Sequence, residues 1–133
     1  MLNVVIDTNV LVSGLICTHG YSARIVNALK EKQFVIYYNS EILIEYYDVL
    51  YRERFGFKPD DIEDLLDAIS LNGVSVTADT SDINLPDEDD RCFYDIAKYA
   101  GAYLITGNIK HYPHDSHIVT PADFVKVLDE QAR

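Results

Sequence analysis

The chain has 133 residues, 48% of them hydrophobic, and carries 22 acidic residues against 11 Lys and Arg for a formal net charge of -11. That length predicts one domain over residues 1–133, with apolar content ample for a core. The charge counts against a protein that coats nucleic acid through a broad basic face, and no apolar run approaches the ~18 residues of a membrane span.

The first residues meet an acid at Asp7 with no basic stretch before it. This is unlike a signal peptide, so the expectation is a cytoplasmic protein with no membrane partner. Cys17 and Cys92 lie far apart and form no paired metal motif. In a cytosolic chain both are expected to be reduced packing residues.

Taken in order, residues 2–6 are a short apolar run ending at Asp7, with a helix beginning near Val10. Ile25, Val26 and Leu29 mark a second helix, ending in Lys30 and Lys32. Residues 34–38 are rich in β-formers. Leu43, Tyr46, Tyr47 and Leu50 mark another helix, with Ser40 as its expected cap. Ile62, Leu65, Leu66 and Ile69 repeat at helical spacing. Asp60, Asp61 and Glu63 load the first turn of that helix with negative charge, and Asn72-Gly73 ends it.

Residues 74–76 form the next strand. Phe93, Ile96, Ala97 and Ala100 mark a further helix. Residues 103–105 run into Thr106-Gly107-Asn108, and residues 117–119 run into Thr120-Pro121. Thr120 as N-cap and Pro121 at the first helical position open the last helix. Short apolar strands alternating with helices predict an α/β fold, with a central parallel sheet of about five buried strands and helices on both faces. Ligands in such sheets bind beyond the carboxyl ends of the strands. Position relative to a strand end is therefore the test for a site residue.

Asp7 meets that test, standing directly after the first strand; its structural alternative is a cap for the following helix. The run Asp87-Glu88-Asp89-Asp90 reads either as a solvated loop with a cap or as a second acidic element. On a helical wheel Asp90 lies with Phe93 and Ala97 on the apolar stripe, while Asp95 shares the opposite face with Arg91 and Lys98. An inward carboxylate there calls for neutralisation, by a metal or by amide donors. Periodicity does not separate Glu45 from Glu41 or Asp48. In Thr106-Gly107-Asn108 the Gly permits close backbone approach, and Thr and Asn offer neutral oxygens; an ordinary turn is the alternative. His111, His114 and His117 match no usual zinc spacing, and Pro113 interrupts them.

These residues together resemble the PIN-domain family, and within it the VapC-like toxin components of toxin–antitoxin pairs. The resemblance rests on residues 4–13 with Asp7-Thr8-Asn9, on residues 40–50 with Glu45, on residues 87–97, and on Leu104-Ile105-Thr106-Gly107-Asn108. It implies a three-layer parallel-sheet fold and a ribonuclease dependent on Mg2+ or Mn2+. Asp7, Glu45 and Asp90 fall on the family's acids, and Asp87 is placed as an assisting ligand. Thr106 and Asn108 would orient a water or the phosphate.

The chain departs from the pattern where many members carry a fourth acid. It has Asn108 there, and His111 three residues on, which argues against a full second metal site. The same resemblance implies an RNA substrate, an antitoxin partner and a homodimer. The tyrosine-rich helix over residues 46–51 is one candidate for that dimer surface, and core packing is the other use for those tyrosines. A PIN-like fold that binds RNA or protein without catalysis is the alternative function. A receiver-like phosphoacceptor fits poorly, since Asp7 lacks the second acid that follows a receiver's first strand. Lys110 is expected at the same strand-end rim as Asp7, in contact with substrate phosphate, with Arg52, Arg54 and Lys58 farther away.

Overall fold

A computed structural model of the chain describes residues 1–132. The apolar runs form five short strands, β1 (Asn3–Ile6), β2 (Val35–Tyr38), β3 (Val74–Ser75), β4 (Tyr103–Ile105) and β5 (Ile118–Val119). They pair in parallel throughout, in the order β3-β2-β1-β4-β5. Six helices join and flank them: α1 (Thr8–Ile16), α2 (Tyr21–Lys30), α3 (Ser40–Leu50), α4 (Pro59–Asn72), α5 (Arg91–Ala100) and α6 (Pro121–Gln131).

Val4, Val5 and Ile6 on β1 and Leu104 and Ile105 on β4 are completely buried, as continuous apolar runs in a sheet covered on both faces should be. The chain steps outward from β1 to β2 to β3 and then crosses back to β4. Because such crossovers share one hand, this reversal puts α5 on the face opposite the α1–α2 connection. Phe93, Ile96 and Ala97 of α5 pack across β1, β2 and β4. On the other side α2 packs with α1, α4 and α6. A Cβ on Gly14 would stand 2.6 Å from Val26 Cγ2, so glycine is what allows α1 and α2 to approach closely.

Three local readings are corrected. β3 is an exposed edge rather than a buried strand, because only β2 pairs with it. The cap of α3 is Asn39, whose Oδ1 accepts the Ile42 amide at 2.8 Å, and Ser40 is already helical. Asp95 is not a solvent-facing residue of α5. Its Oδ2 accepts the Ser81 amide at 3.1 Å, and its Oδ1 is buried without a partner among the described residues. The reason is tertiary: the irregular stretch between β3 and α5 folds back over the face that the wheel left open. No described helix is long and apolar enough to cross a membrane.

Candidate active site

The parallel register sets Ile6 beside Ile105, so the residues that follow, Asp7 and Thr106, leave the sheet side by side. β1 and β4 are also the neighbours between which the chain reverses its winding, the place where open α/β sheets leave a crevice. The Asp7 amide continues the ladder to the Ile105 carbonyl at 2.9 Å. Its side chain makes no capping hydrogen bond to α1. Instead Oδ2 accepts the hydroxyls of Thr106 at 2.9 Å and Tyr112 at 3.1 Å. Burial, to 5% exposure, pushes this carboxyl above the ordinary range, and the two hydroxyl donors oppose that shift.

Neighbouring contacts hold the strand end in place. The fully buried Tyr46 donates its hydroxyl to the Ile6 carbonyl. Asn9 Oδ1 accepts the Gly107 amide at 2.9 Å, and a Cβ at Gly107 would lie 3.1 Å from that oxygen.

Glu45 arrives from the middle of α3, and its Oε2 accepts the Thr8 hydroxyl. Burial raises its pKa first, then the charges of Asp7, Asp89 and Asp90. Asp90 closes a 3-10 turn, Glu88–Asp90, at the N-cap of α5. Burial and then the Asp7 charge carry its pKa up to about 6, against the opposing hydrogen bond of His111. His111 Nδ1 stands 3.2 Å from Asp90 Oδ2. Three carboxylates from three elements thus share one crevice and repel one another, with no Lys or Arg ion-paired to any of them among the described residues.

This donor set is chemically suited to a hard divalent cation, which prefers carboxylate oxygen and would relieve the repulsion. The spacing is open: among the described residues no three His, Cys, Asp or Glu side chains gather closely enough to enclose an ion. An ion that keeps several waters and takes one or two carboxylates, as Mg2+ does, fits such a site better than a protein-only cage.

The family model described as PIN domain matches residues 3–110. The chain belongs to the PIN domain family. Its five-stranded parallel sheet is the architecture of that family, whose members are in general nucleases that bind RNA and typically use divalent metals. The chain is also similar to an uncharacterized protein of Methanocaldococcus jannaschii, at 32% identity over 119 residues, covering 80% of this chain and 71% of the relative.

The other residues singled out in the sequence of this PIN domain are placed as follows. Thr106 is fully buried, and besides bonding Asp7 its Oγ1 accepts the Asn108 amide at 3.0 Å. Asn108 is exposed, and its carbonyl accepts the His111 amide at 2.9 Å. Asp87 is exposed and caps the turn that presents Asp90, its Oδ1 accepting the Asp89 amide at 3.0 Å. Lys110 is exposed in the 3-10 turn Ile109–His111, just past the β4 strand end. Of the remaining histidines, His117 packs on Tyr103 with ring centroids 4.9 Å apart. Tyr46, of the tyrosine-rich helix, belongs to the core, while Tyr47 and Tyr51 are exposed and stacked on each other.

Four contributors escaped the sequence reading: Thr8, Tyr46, Asp89 and Tyr112. Thr8 and Asp89 sit inside the acidic motifs, where Asp7 and Asp90 beside them carry the stronger signal. Tyr46 and Tyr112 carried no local signal, since each acts through a bond to a residue 40 or 105 positions away.

Proposed function

We propose that this PIN domain, acting as a single domain in the cytoplasm, is a metal-dependent endoribonuclease in which Asp7, Glu45 and Asp90 hold Mg2+ or Mn2+. The observation that carries the reading is the convergence of three carboxylates from three elements at the β1/β4 strand ends, with no Lys or Arg ion-paired to them among the described residues. Burial raises the pKa of each, and neighbouring carboxylate charge adds to the shift at Glu45 and Asp90. A divalent ion held by these residues would supply Lewis-acid polarisation of a phosphodiester and would lower the pKa of a coordinated water.

The chain's own side chains do the positioning. Thr106 and Tyr112 fix the Asp7 carboxylate, Thr8 fixes Glu45, and His111 holds one oxygen of Asp90. Asn108 and Lys110, both exposed just past the β4 strand end, would orient the phosphates of the RNA. No histidine is assigned as base; His111 serves instead to hold Asp90. The resemblance to VapC-like proteins extends the reading to a toxin of a toxin–antitoxin pair, restrained by an antitoxin and acting as a homodimer through the exposed Tyr47 and Tyr51.

The test is cleavage of RNA by the purified chain with Mn2+ or Mg2+, with and without chelator. Cleavage should require the metal, and Asp7→Asn should reduce it at least ~100-fold, or ~2.7 kcal/mol of transition-state stabilisation, while the fold persists. A folded Asp7→Asn protein of full activity, or cleavage that survives chelation, would overturn the assignment. The open carboxylate spacing and Asn108 favour one second reading, a module that binds RNA without cutting it. RNA retained intact by the wild-type chain in Mn2+ would select that reading.

A further inference from the structure

Two cavities flank the carboxylates, and they differ in charge. One, of about 400 Å3, is lined by Glu41, Glu45, Glu88 and Asp89 among others, and would repel a phosphate. The other, of about 450 Å3, lies beneath the segment after β4 and is lined by Ile109, Lys110, Tyr112, Pro113, His114 and Ile118. Its one acid, Asp115, is already engaged: Oδ2 pairs with Lys98 and Oδ1 accepts the His117 amide at 2.8 Å. Lys110 has no ion-pair partner among the described residues. The second cavity therefore offers an uncommitted ammonium and a neighbouring imidazole over apolar walls, in a chain of net charge -11.

We infer that this second cavity is a subsite for one nucleotide of the RNA chain, with the base or ribose against Ile109, Pro113 and Ile118 and the phosphate on Lys110. The inference rests on the nuclease reading for its substrate and deepens it. The volume lies within the ~300–1,000 Å3 of small-ligand sites, which pair apolar walls with a few polar groups. Tyr112 is the wall shared with the carboxylate crevice, since it lines the cavity and its hydroxyl bonds Asp7. A nucleotide seated there would lie next to the phosphodiester at Asp7. Ile109 is exposed beside Lys110, so its side chain is open to a base or ribose seated in the cavity. The opposite cavity has one cation, Arg91, which is already engaged by Glu88 and by the Ser81 and Ile83 carbonyls, so it offers no free positive charge to a flanking phosphate.

The experiment is an NMR titration of the wild-type chain in chelator, using AMP, adenosine and inorganic phosphate as separate probes, followed by a short RNA with and without Mn2+. AMP should shift the amides of residues 109–114 and bind at least ~5-fold more tightly than either adenosine or phosphate. Ile109→Ala and Lys110→Ala should each weaken AMP at least ~5-fold, and Lys110→Arg should restore most of the loss. For the RNA, Lys110→Ala should flatten the log-log salt dependence of binding by about 0.7, the value for one contact on a single strand, while Ile109→Ala and Arg54→Ala leave the slope unchanged. Thermal melts of these exposed-site variants control for folding. Phosphate binding as tightly as AMP, or AMP shifts confined to the Glu41 and Asp89 side, would overturn the subsite. Because the titration needs no cleavage, the two readings fail separately. AMP binding without metal-dependent cleavage sustains the subsite and ends the nuclease; cleavage unaltered in both variants ends the subsite and leaves the nuclease.

Discussion

Asp90 and Asp95 stand five residues apart and hold different partners. Asp90 faces Asp7 and His111, whereas Asp95 is committed to the Ser81 amide. Asp90→Asn should therefore cut metal-dependent cleavage by at least ~100-fold with the fold retained, because the amide keeps the shape and loses the charge that would hold a cation. Asp95→Ala should act on stability instead, costing about 1–3 kcal/mol as a part-buried donor loses its acceptor, with little change in rate. Paired urea melts and initial rates separate these outcomes, and equal rate losses at equal stability would show that Asp90 is not a ligand. The helical wheel ranks the two residues in the same order but for a different reason. It correctly turns Asp90 inward. It cannot see the chain segment that folds over Asp95, because that segment has no periodicity and makes its contacts outside α5.

At the scale of elements, the stretch between β3 and α5 is held by one side chain more than by any other. Arg91 is only 14% exposed. It donates to Glu88 at 2.7 and 2.6 Å, to the Ser81 carbonyl at 2.8 Å and to the Ile83 carbonyl at 2.7 Å. Its planar fork lets one guanidinium bind a carboxylate bidentately and still satisfy backbone oxygens, which lysine cannot reproduce. Arg91→Lys should therefore raise the rate of limited proteolysis within residues 77–87 several-fold while sites in α2 and α6 stay protected. Uniform protection in the variant would mean that the segment is held by Asp95 and its apolar contacts alone. The long helices were legible because amphipathic spacing is a local property: α4 buries Ile62, Leu65, Leu66 and Ile69, the residues its period selects. The Arg91 clamp was not, because Arg91 reads as a solvated helix charge until its partners arrive from upstream.

For the whole molecule, the sign of the titration shifts makes a prediction about stability. Asp7, Glu45 and Asp90 all hold protons more tightly in the fold than as ordinary carboxyls. Between the ordinary range and about 6 for Asp90, the folded chain binds more protons than the unfolded chain. This contribution therefore falls as pH rises through that window and is most favourable below it. Glu88 and Asp115, held low by Arg91 and Lys98, act in the opposite sense. The clean observable is thus a difference. In chelator, the Tm of the wild type relative to Asp90→Asn should drop between about pH 4 and pH 6. Mn2+ should then raise the wild-type Tm at neutral pH, by the equivalent of ~2.7 kcal/mol at a hundredfold excess over its Kd, and leave Asp90→Asn less affected. A difference that grows with pH in chelator would show that the crevice does not strain these carboxyls.

What the sequence by itself determined is what short range can encode. Apolar runs and capping residues marked most elements, their alternation implied a parallel sheet, and a carboxylate one residue past the first strand marked Asp7. The charge of -11 was also plain from composition. Only the tertiary structure decided which of those acids lack a counter-charge, because that depends on register. Pairing Ile6 with Ile105 brings Thr106 to Asp7 across 99 residues. Through the same closure, α3 delivers Glu45 to Thr8, and Tyr112 reaches Asp7 from beside a cavity. Burial and mutual repulsion belong to that assembled crevice and to no segment of it, so no periodicity within a single element could separate Glu45 from Glu41 or Asp48.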